Sequence, residues 1–279
     1  ANTQTGDAGG VYIFLGRGDG TFSTPVFYAA GSSPAAITID DVNRDGKLDL
    51  IVAGFQYPPQ PVLTNGVSVL LGNGDGTFRA AVSSPSRGSL SIAAGDFDGD
   101  GNVDIVLGNG DIQRGNGDGT FAATALTLPL PLADAGGLPV VGDFSNDGKL
   151  DVAISDMSDP NGVHMFLGKG DGTFTVGPSY SKARQTPDMA AADLDGDGNL
   201  DLVSGLGNLG LFGPDINDTG GVYSILMGNG DGTFQGAPLY AAIAAPSSAT
   251  TISAVNSVSP AFAVGDFNGP SYRPVVVSK

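Results

Sequence analysis

A nine-residue pattern of oxygen-bearing side chains recurs in the chain and could bind a hard cation. Carboxylate, amide or hydroxyl groups occupy positions one, three and five, Gly occupies position six, and a further Asp closes the pattern at position nine. Four intact copies span residues 41–49, 96–104, 143–151 and 193–201. Alternating oxygen groups around a Gly that permits a sharp turn are typical of a loop that wraps Ca²⁺.

The expected ligands of each copy are the side chains at positions one, three, five and nine, with the last Asp bidentate, and the backbone carbonyl at position seven. An EF-hand would place its bidentate Glu at position twelve and enter a helix, so this spacing argues against an EF-hand. Mg²⁺ fits less well because it gives up its water reluctantly. The predicted metal-binding residues are Asp41, Asn43, Asp45, Lys47, Asp49, Asp96, Asp98, Asp100, Asn102, Asp104, Asp143, Ser145, Asp147, Lys149, Asp151, Asp193, Asp195, Asp197, Asn199 and Asp201.

The copies differ in charge, and this predicts an order of affinity. Loops 96–104 and 193–201 have four carboxylates and should bind Ca²⁺ most tightly, whereas loop 143–151 has Ser145 and should bind most weakly. A fifth copy, from Asp266, loses two of its carboxylates, and we expect no ion there. The alternative is that these are Asx-type turns without metal, but four copies with one spacing favour about four Ca²⁺ sites.

Composition excludes several classes of protein. All 29 acidic residues are Asp, and the net charge of −17 argues against nucleic acid and anionic membranes as partners. The absence of Cys excludes disulfides and thiol catalysis. No apolar run reaches the ~18 residues of a membrane span, so membrane insertion is not expected. The polar start at Ala1 fits the mature end of a secreted protein, and we expect a secreted or cell-surface location.

A second motif, Gly-x-Gly-Asp-Gly-Thr-Phe, occurs five times and alternates strictly with the Asp loops. Its copies span residues 16–22, 72–78, 115–121, 168–174 and 228–234. The spacers between motifs are rich in small, β-branched and aromatic residues, which predicts two strands around each Asp loop and two around each Gly-rich turn. The third strand of the second unit, near 111–114, has the weakest pattern, and no helix is expected.

Four antiparallel strands in about fifty residues predict an all-β fold, a β-propeller built from four-stranded blades. We expect one propeller domain over residues 1–279, most simply with five blades. The ring would be closed by pairing of the N- and C-terminal strands. The alternative is a fragment of a seven-bladed propeller. The predicted blades span about 35–83, 89–128, 137–180 and 187–240, with a shared blade from 261–279 plus 10–30.

The run from Gly95 to Val106, followed by the Gly-rich turn 115–121, resembles the FG-GAP/VCBS repeat family. Such repeats are similar to the calcium-binding propeller of integrin α-subunits, and the resemblance covers nearly the whole chain. It implies a calcium-binding propeller of the kind found in adhesins, lectin-like proteins and extracellular polysaccharide enzymes. The damaged fifth loop departs from this pattern.

Chain length varies most in the links between second and third strands, at the end of the blades opposite the Asp loops. Variable loops on a rigid scaffold are common binding sites, so these links are the expected ligand-binding face. The candidate contact residues are Phe55, Tyr57, Asp156, Asp159, Phe212, Asp215 and Asp218. The pattern favours a non-catalytic module that binds a carbohydrate or protein ligand, and this module could form part of a larger surface protein.

Two other functions stay open at this point. A polysaccharide hydrolase or lyase would need a carboxyl pair, for which six Asp residues lie off the repeat motifs. They are Asp134, Asp156, Asp159, Asp188, Asp215 and Asp218. A Ser-His-Asp triad would require His164, the only His, which lies at a variable position of a predicted strand, so no catalytic residue is assigned. The second alternative is a purely structural repeat of a larger surface protein.

Overall fold

The computed structural model describes residues 9–31, 33–54, 66–123, 126–129, 137–155, 162–180, 188–205, 220–235, 239–244, 262–265 and 275–278. Across these ranges the regular elements are twenty β-strands, without a helix. Strands that are consecutive in the chain pair in antiparallel fashion, so each sheet is a simple meander. The predicted all-β class and four-stranded antiparallel sheets are therefore confirmed.

Four sheets contain four strands each. The first consists of β3 (Pro34–Asp40), β4 (Asp49–Gly54), β5 (Val67–Leu70) and β6 (Val82–Ser84). The second consists of β7 (Ile92–Gly95), β8 (Asp104–Leu107), β9 (Asp111–Gln113) and β10 (Leu126–Thr127). The third consists of β11 (Leu138–Gly142), β12 (Asp151–Ser155), β13 (Val163–Gly168) and β14 (Phe174–Tyr180). The fourth consists of β15 (Asp188–Ala192), β16 (Asp201–Gly205), β17 (Gly220–Leu226) and β18 (Leu239–Ala244).

Two further sheets contain two strands each. They are formed by β1 (Gly10–Ile13) with β2 (Val26–Ala29), and by β19 (Phe262–Gly265) with β20 (Val275–Ser278). These are the segments that the sequence predicts to share one blade. The shared blade, the number of blades and the single propeller domain stay predictions.

The second strand of each four-stranded sheet is buried on both faces, which explains its β-branched composition. In β4, Ile51 and Ala53 pack with residues of the second sheet, whereas Leu50 and Val52 pack toward β1 and β2. Alternate residues of a strand point to opposite faces, so the first sheet lies between two neighbouring sheets. In the same way, residues of the third and fourth sheets share a core that includes Met165 and Leu202.

The chain divides into two compact units. The first contains residues 1–139 and 169–173, and the second contains residues 140–168 and 174–279. The first unit includes the β1–β2 sheet and the first two four-stranded sheets. The second includes most of the third sheet, the fourth sheet and the β19–β20 sheet.

The Gly-rich turns owe their sequence to a repeated set of hydrogen bonds. The first Gly pairs with the final Phe, as in Gly72 with Phe78, and the second residue donates its N–H to the Thr carbonyl. The turn Asp accepts hydrogen bonds from both the backbone N–H and the hydroxyl of Thr, at 2.9 and 2.6 Å for Asp75 and Thr77. These bonds, with that of the Thr hydroxyl first, lower the pKa of the turn Asp. The turn Asp therefore has a structural role.

Candidate metal centre

The ninth residue of every Asp loop is a buried carboxylate that begins the second strand of its sheet. These residues are Asp49, Asp104, Asp151 and Asp201, and each is at most 1% exposed. One carboxylate oxygen accepts the backbone N–H of loop position two, and the other accepts the N–H of the first Gly in the Gly-rich turn of the same sheet. All eight N···O distances lie between 2.7 and 3.1 Å.

This arrangement places the Asp loop and the Gly-rich turn at the same end of each four-stranded sheet. The ninth Asp also joins segments that are far apart in the chain, since the pair Asp49 and Gly72 spans 23 residues. It therefore fastens two hairpins together, a role that the sequence spacing did not indicate. The remaining lone pairs of its oxygens stay available to a cation.

Burial makes these four carboxylates costly to ionise. Desolvation raises the pKa of all four, and it raises that of Asp104 to about 6. The backbone N–H bonds act in the opposite direction, whereas the nearby Asp98 and Asp100 carboxylates raise the pKa of Asp104 further. A buried carboxylate beside other carboxylates calls for a compensating cation.

The first Asp of each loop shapes the turn. In loop 96–104, the oxygens of Asp96 accept the N–H groups of Gly99 and Gly101, both at 2.8 Å. In loop 41–49, Asp41 in the same way accepts from Asp45 and Gly46. These hydrogen bonds close the loop around its first carboxylate.

Carboxylate oxygens converge in two of the four loops. Oxygens of Asp96, Asp98 and Asp104 lie within 4.8 Å of one another, and so do oxygens of Asp193, Asp195 and Asp197. Ca²⁺ takes oxygen ligands at about 2.3–2.6 Å, so two ligands of one ion are at most about 5 Å apart. The donor type and the separation in both loops therefore fit Ca²⁺.

The other two loops contain an internal cation. In loop 41–49, Lys47 Nζ lies 3.4 Å from Asp45 Oδ2, and in loop 143–151, Lys149 Nζ lies 3.0 Å from Asp147 Oδ2. Each lysine is at position seven and its partner is at position five. Neither loop, both of which the structure describes in full, has three acidic groups as close as the clusters above. We call 41–49 and 143–151 the lysine loops, and 96–104 and 193–201 the asparagine loops, after the residue at position seven.

The fourth loop position requires a left-handed backbone in every copy. Gly99 and Gly196 have φ of 74° and 80° there, and the lysine loops place Arg44 and Asn146 at φ of 58° and 53°. These two side chains bridge to a neighbouring loop: Arg44 binds backbone carbonyls of loop 96–104, and Asn146 Nδ2 donates to Asn199 Oδ1 at 2.7 Å. The unusual backbone thus coincides with contacts between loops of adjacent sheets.

The predicted ligand-contact residues lie outside the described residues, as does the damaged loop from Asp266. They are Phe55, Tyr57, Asp156, Asp159, Phe212, Asp215 and Asp218. His164 lies in β13 opposite Ser179 of β14, with 2.9 Å between its Nδ1 and the Ser hydroxyl oxygen. It is a buried strand residue, 6% exposed.

The fold and site define a class of protein: tandem four-stranded β-sheets, each closed at one end by an acidic loop and a Gly-rich turn. The FG-GAP-like repeat pattern matches residues 3–52, 62–107 and 143–204. These segments make up more than half of the chain, and the chain therefore belongs to the FG-GAP-like repeat family.

Among solved structures, the chain is similar to the V. cholerae biofilm matrix protein Bap1, with 19% sequence identity and a TM-score of 0.39. The alignment covers 76% of this chain and 40% of Bap1, so this chain corresponds to less than half the length of Bap1. No curated protein is similar enough to count as a match. The described part of the chain contains no helix with the length and hydropathy of a membrane span.

Proposed function

We propose that this chain is a calcium-stabilised repeat scaffold that acts as a non-catalytic binding module outside the cell. The observation that carries the proposal is the convergence of Asp96, Asp98 and the buried Asp104 in one loop, where three carboxylates face each other within reach of one cation. Membership of the FG-GAP-like repeat family supports the same interpretation, since the repeat brings the acidic loop with it.

The calcium ions would be held by the side chains at loop positions one, three, five and nine and by the carbonyl at position seven, at about four sites. A bound Ca²⁺ supplies positive charge that offsets repulsion among the carboxylates and the desolvation of the ninth Asp. The chain itself supplies the frame: the first Asp folds the loop, and the ninth Asp ties the loop to the Gly-rich turn. The asparagine loops have the stronger charge and are the primary sites.

The first experiment is a calcium titration of chelator-treated protein by isothermal titration calorimetry, with Mg²⁺ as the competing ion. We expect binding at ~10⁻⁴–10⁻³ M, as in extracellular calcium modules, and weaker binding of Mg²⁺. The double variant D98N/D195N removes one carboxylate from each asparagine loop and should reduce the binding heat. D75N/D231N, which alters two turn Asp residues outside the loops, is the matched control. A wild-type titration without binding up to 10 mM, roughly ten times the weaker expected constant, would contradict the proposal.

The ligand-binding surface is proposed to be formed by the links between second and third strands, at the sheet ends opposite the Asp loops. Those links vary most in length, and loop variation on a fixed scaffold is the common route to different ligands. Phe55, Tyr57 and Phe212 would supply apolar contact, and Asp156, Asp159, Asp215 and Asp218 would accept hydrogen bonds from a carbohydrate or a protein.

A glycan array and a parallel pull-down with candidate protein ligands test this surface. We expect binding to be lost in Y57A and in D159N while the melting temperature stays unchanged. V176T, on the exposed surface of β14, serves as a control for unspecific surface effects. Turnover of polysaccharides by the wild type would instead favour the hydrolase or lyase alternative. We also propose a secreted or cell-surface location, because calcium is millimolar there and the expected sites bind it only weakly.

A further inference from the structure

The two asparagine loops have the same residue types at every predicted ligand position but different surroundings. Both place Asp at positions one, three, five and nine, Gly at four and six, and Asn at seven. Within the described residues, the third, fifth and ninth carboxylates of loop 193–201 accept hydrogen bonds from backbone N–H groups and from the amide of Asn199. Loop 96–104 has two arginine side chains in addition.

The first of these arginines, Arg114, forms an ion pair with the third carboxylate of loop 96–104. Its Nη1 lies 3.1 Å from Asp98 Oδ2, and the Asp98 side chain is only 9% exposed. Its Nη2 donates to the carbonyl of Asp171 at 2.8 Å, which fixes the guanidinium in place. Asp98 belongs to the converging carboxylate cluster of this loop. Arg114 therefore provides positive charge at the same group that a calcium ion would use.

The second arginine, Arg44, holds the backbone of the same loop. Its Nε donates to the Gly101 carbonyl at 2.9 Å and its Nη2 donates to the Asp100 carbonyl at 2.7 Å. Gly101 has φ of 82°, and a Cβ added to it would meet Arg44 Nη2 at 2.7 Å. Two guanidinium groups thus reach one loop from neighbouring parts of the first unit.

Arginine is an exception at the position of Arg114. This position directly precedes the Gly-rich turn, and the other repeats have Leu15, Leu71, Leu167 and Met227 there. In four repeats this side chain packs against the third Gly of the following turn: Leu15 against Gly76, Leu71 against Gly119, Arg114 against Gly172, and Leu167 against Gly232. An apolar residue therefore satisfies the packing role, and the guanidinium is an addition specific to loop 96–104.

We infer that Arg114 acts as a built-in counter-ion that makes loop 96–104 the less calcium-dependent of two sites with the same predicted ligands. This inference rests on the proposed calcium binding. Without calcium, the guanidinium compensates Asp98 and the loop stays ordered. With calcium, the ion must compete with Arg114 for Asp98, so loop 96–104 needs a higher concentration than loop 193–201. The scaffold would then have one acidic loop that stays ordered without calcium and one that becomes ordered when calcium binds.

The test uses hydrogen–deuterium exchange of the full chain during a calcium titration, because it reports on each loop separately. In wild-type protein with chelator, we expect slow exchange in loop 96–104 and fast exchange in loop 193–201. Added calcium should protect loop 193–201 at a concentration about threefold to tenfold below the one that further protects loop 96–104, as expected for one partly exposed ion pair.

Two substitutions should each abolish the difference between the loops. R114L places the residue found in other repeats, and it should speed exchange of loop 96–104 in chelator and lower its calcium midpoint to that of loop 193–201. M227R introduces a guanidinium at the matching position of the fourth sheet, and it should slow exchange of loop 193–201 in chelator and raise its midpoint by a similar factor. R17N is the control, because it removes one positive charge from an exposed turn where three other turns have Asn.

The outcomes separate this inference from the proposed function. If calcium alters exchange in neither asparagine loop of the wild type, the calcium proposal fails and the inference fails with it. If calcium protects both loops but R114L leaves the two midpoints as they were, only the inference is overturned. A higher midpoint in R114L would also overturn it, because Arg114 would then orient Asp98 for the ion. If R17N shifted the calcium midpoint of loop 96–104 as much as R114L does, the effect would come from net charge and not from the ion pair, and the inference would be overturned.

Discussion

The lysine loops and the asparagine loops share one backbone plan but balance their charge differently. In the lysine loops, the fifth carboxylate is paired with the ammonium group of position seven, at 3.4 and 3.0 Å. In the asparagine loops the fifth carboxylate accepts from a neutral amide, at 2.8 Å in both. The loop geometry is thus preserved by hydrogen bonds common to all four copies, whereas positions three, four and seven decide how much charge is left for a cation.

The largest expected effect comes from the ninth Asp, where the two kinds of loop are alike. D49A in a lysine loop and D201A in an asparagine loop should each reduce the free energy of unfolding by about 3–5 kcal/mol. Each substitution removes two charge-assisted hydrogen bonds and leaves two buried N–H groups without an acceptor. Urea unfolding in the presence of chelator measures this directly. Similar losses in both variants would show that the fastening role is independent of metal, whereas a loss that vanished in chelator would show that this Asp acts only through the ion.

Removal of calcium should separate the two kinds of loop. Chelation is expected to reduce the free energy of unfolding by about 2–4 kcal/mol when millimolar calcium is withdrawn from about four weak sites, and to lower the melting temperature by several degrees. The variant D195N, in an asparagine loop, should lose part of this calcium response. S145A, in the lysine loop with the weakest predicted site, should keep nearly all of it. An unchanged melting temperature of the wild type in chelator would contradict a difference in calcium dependence between the asparagine and lysine loops.

The calcium-free protein should be more stable at mildly acidic pH than at neutral pH. The pKa of Asp104 is raised to about 6 in the folded chain, so the folded state binds this proton more tightly than the unfolded chain does. The stabilisation from protonated Asp104 is complete below the pKa that this group has in the unfolded chain, and it is lost as pH rises through about 6. Unfolding in chelator should therefore show about 2 kcal/mol more stability at pH 4.5 than at pH 7.

The turn carboxylates act in a lower window, because hydrogen bonds from Thr lower the pKa of Asp75 and its counterparts below 3.8. The stability that the ionised turn carboxylates contribute is lost only as pH falls through their lowered pKa values. The effect of these carboxylates is therefore seen at lower pH than the effect of Asp104. D104N should flatten the profile between pH 4.5 and 7, and D75N should leave that range unchanged. With saturating calcium the slope should reverse, because the ion binds the ionised carboxylate.

The smallest expected effect is the conversion of one kind of loop into the other. N43D/K47N gives loop 41–49 the four carboxylates and the Asn of an asparagine loop, and we expect its calcium affinity to rise about tenfold, or about 1.4 kcal/mol. Calorimetry and the calcium dependence of the melting temperature measure this. K169N, which removes an exposed lysine from a Gly-rich turn where other turns have Asn, is the control. No gain in the double variant would show that position four, Arg44, limits the loop.

Local patterns in the sequence were sufficient for the elements but not for the contacts between them. The small-residue and β-branched runs around each Asp loop predicted β3, β4 and their counterparts, because alternation and burial act within a few residues. The third strand of the second sheet, β9, is present although its sequence pattern is the weakest. Its buried Asp111 is held by Arg87 and Thr127, and neither partner is close to it in the chain.

The sequence motif contained the carboxylates that converge in the two asparagine loops, but it did not indicate their electrostatic surroundings. The ion pair of Arg114 with Asp98 joins two hairpins of the second sheet, and the bond of Arg44 to Gly101 joins loops of two sheets, so no local spacing shows either contact. The second role of the ninth Asp was hidden for the same reason, since its partner Gly lies at varying distances along the chain. One signal was present: Arg114 stands where every other repeat has Leu or Met.

The contact between the residue before each Gly-rich turn and the third Gly of the next turn has a consequence for how such chains can grow. Leu71, for example, covers Gly119 of the following turn, while its own turn offers Gly76 to Leu15. The three middle turns, 72–78, 115–121 and 168–174, thus provide one half of this contact on each side. For this contact, an additional repeat inserted between two of them would find both halves already matched.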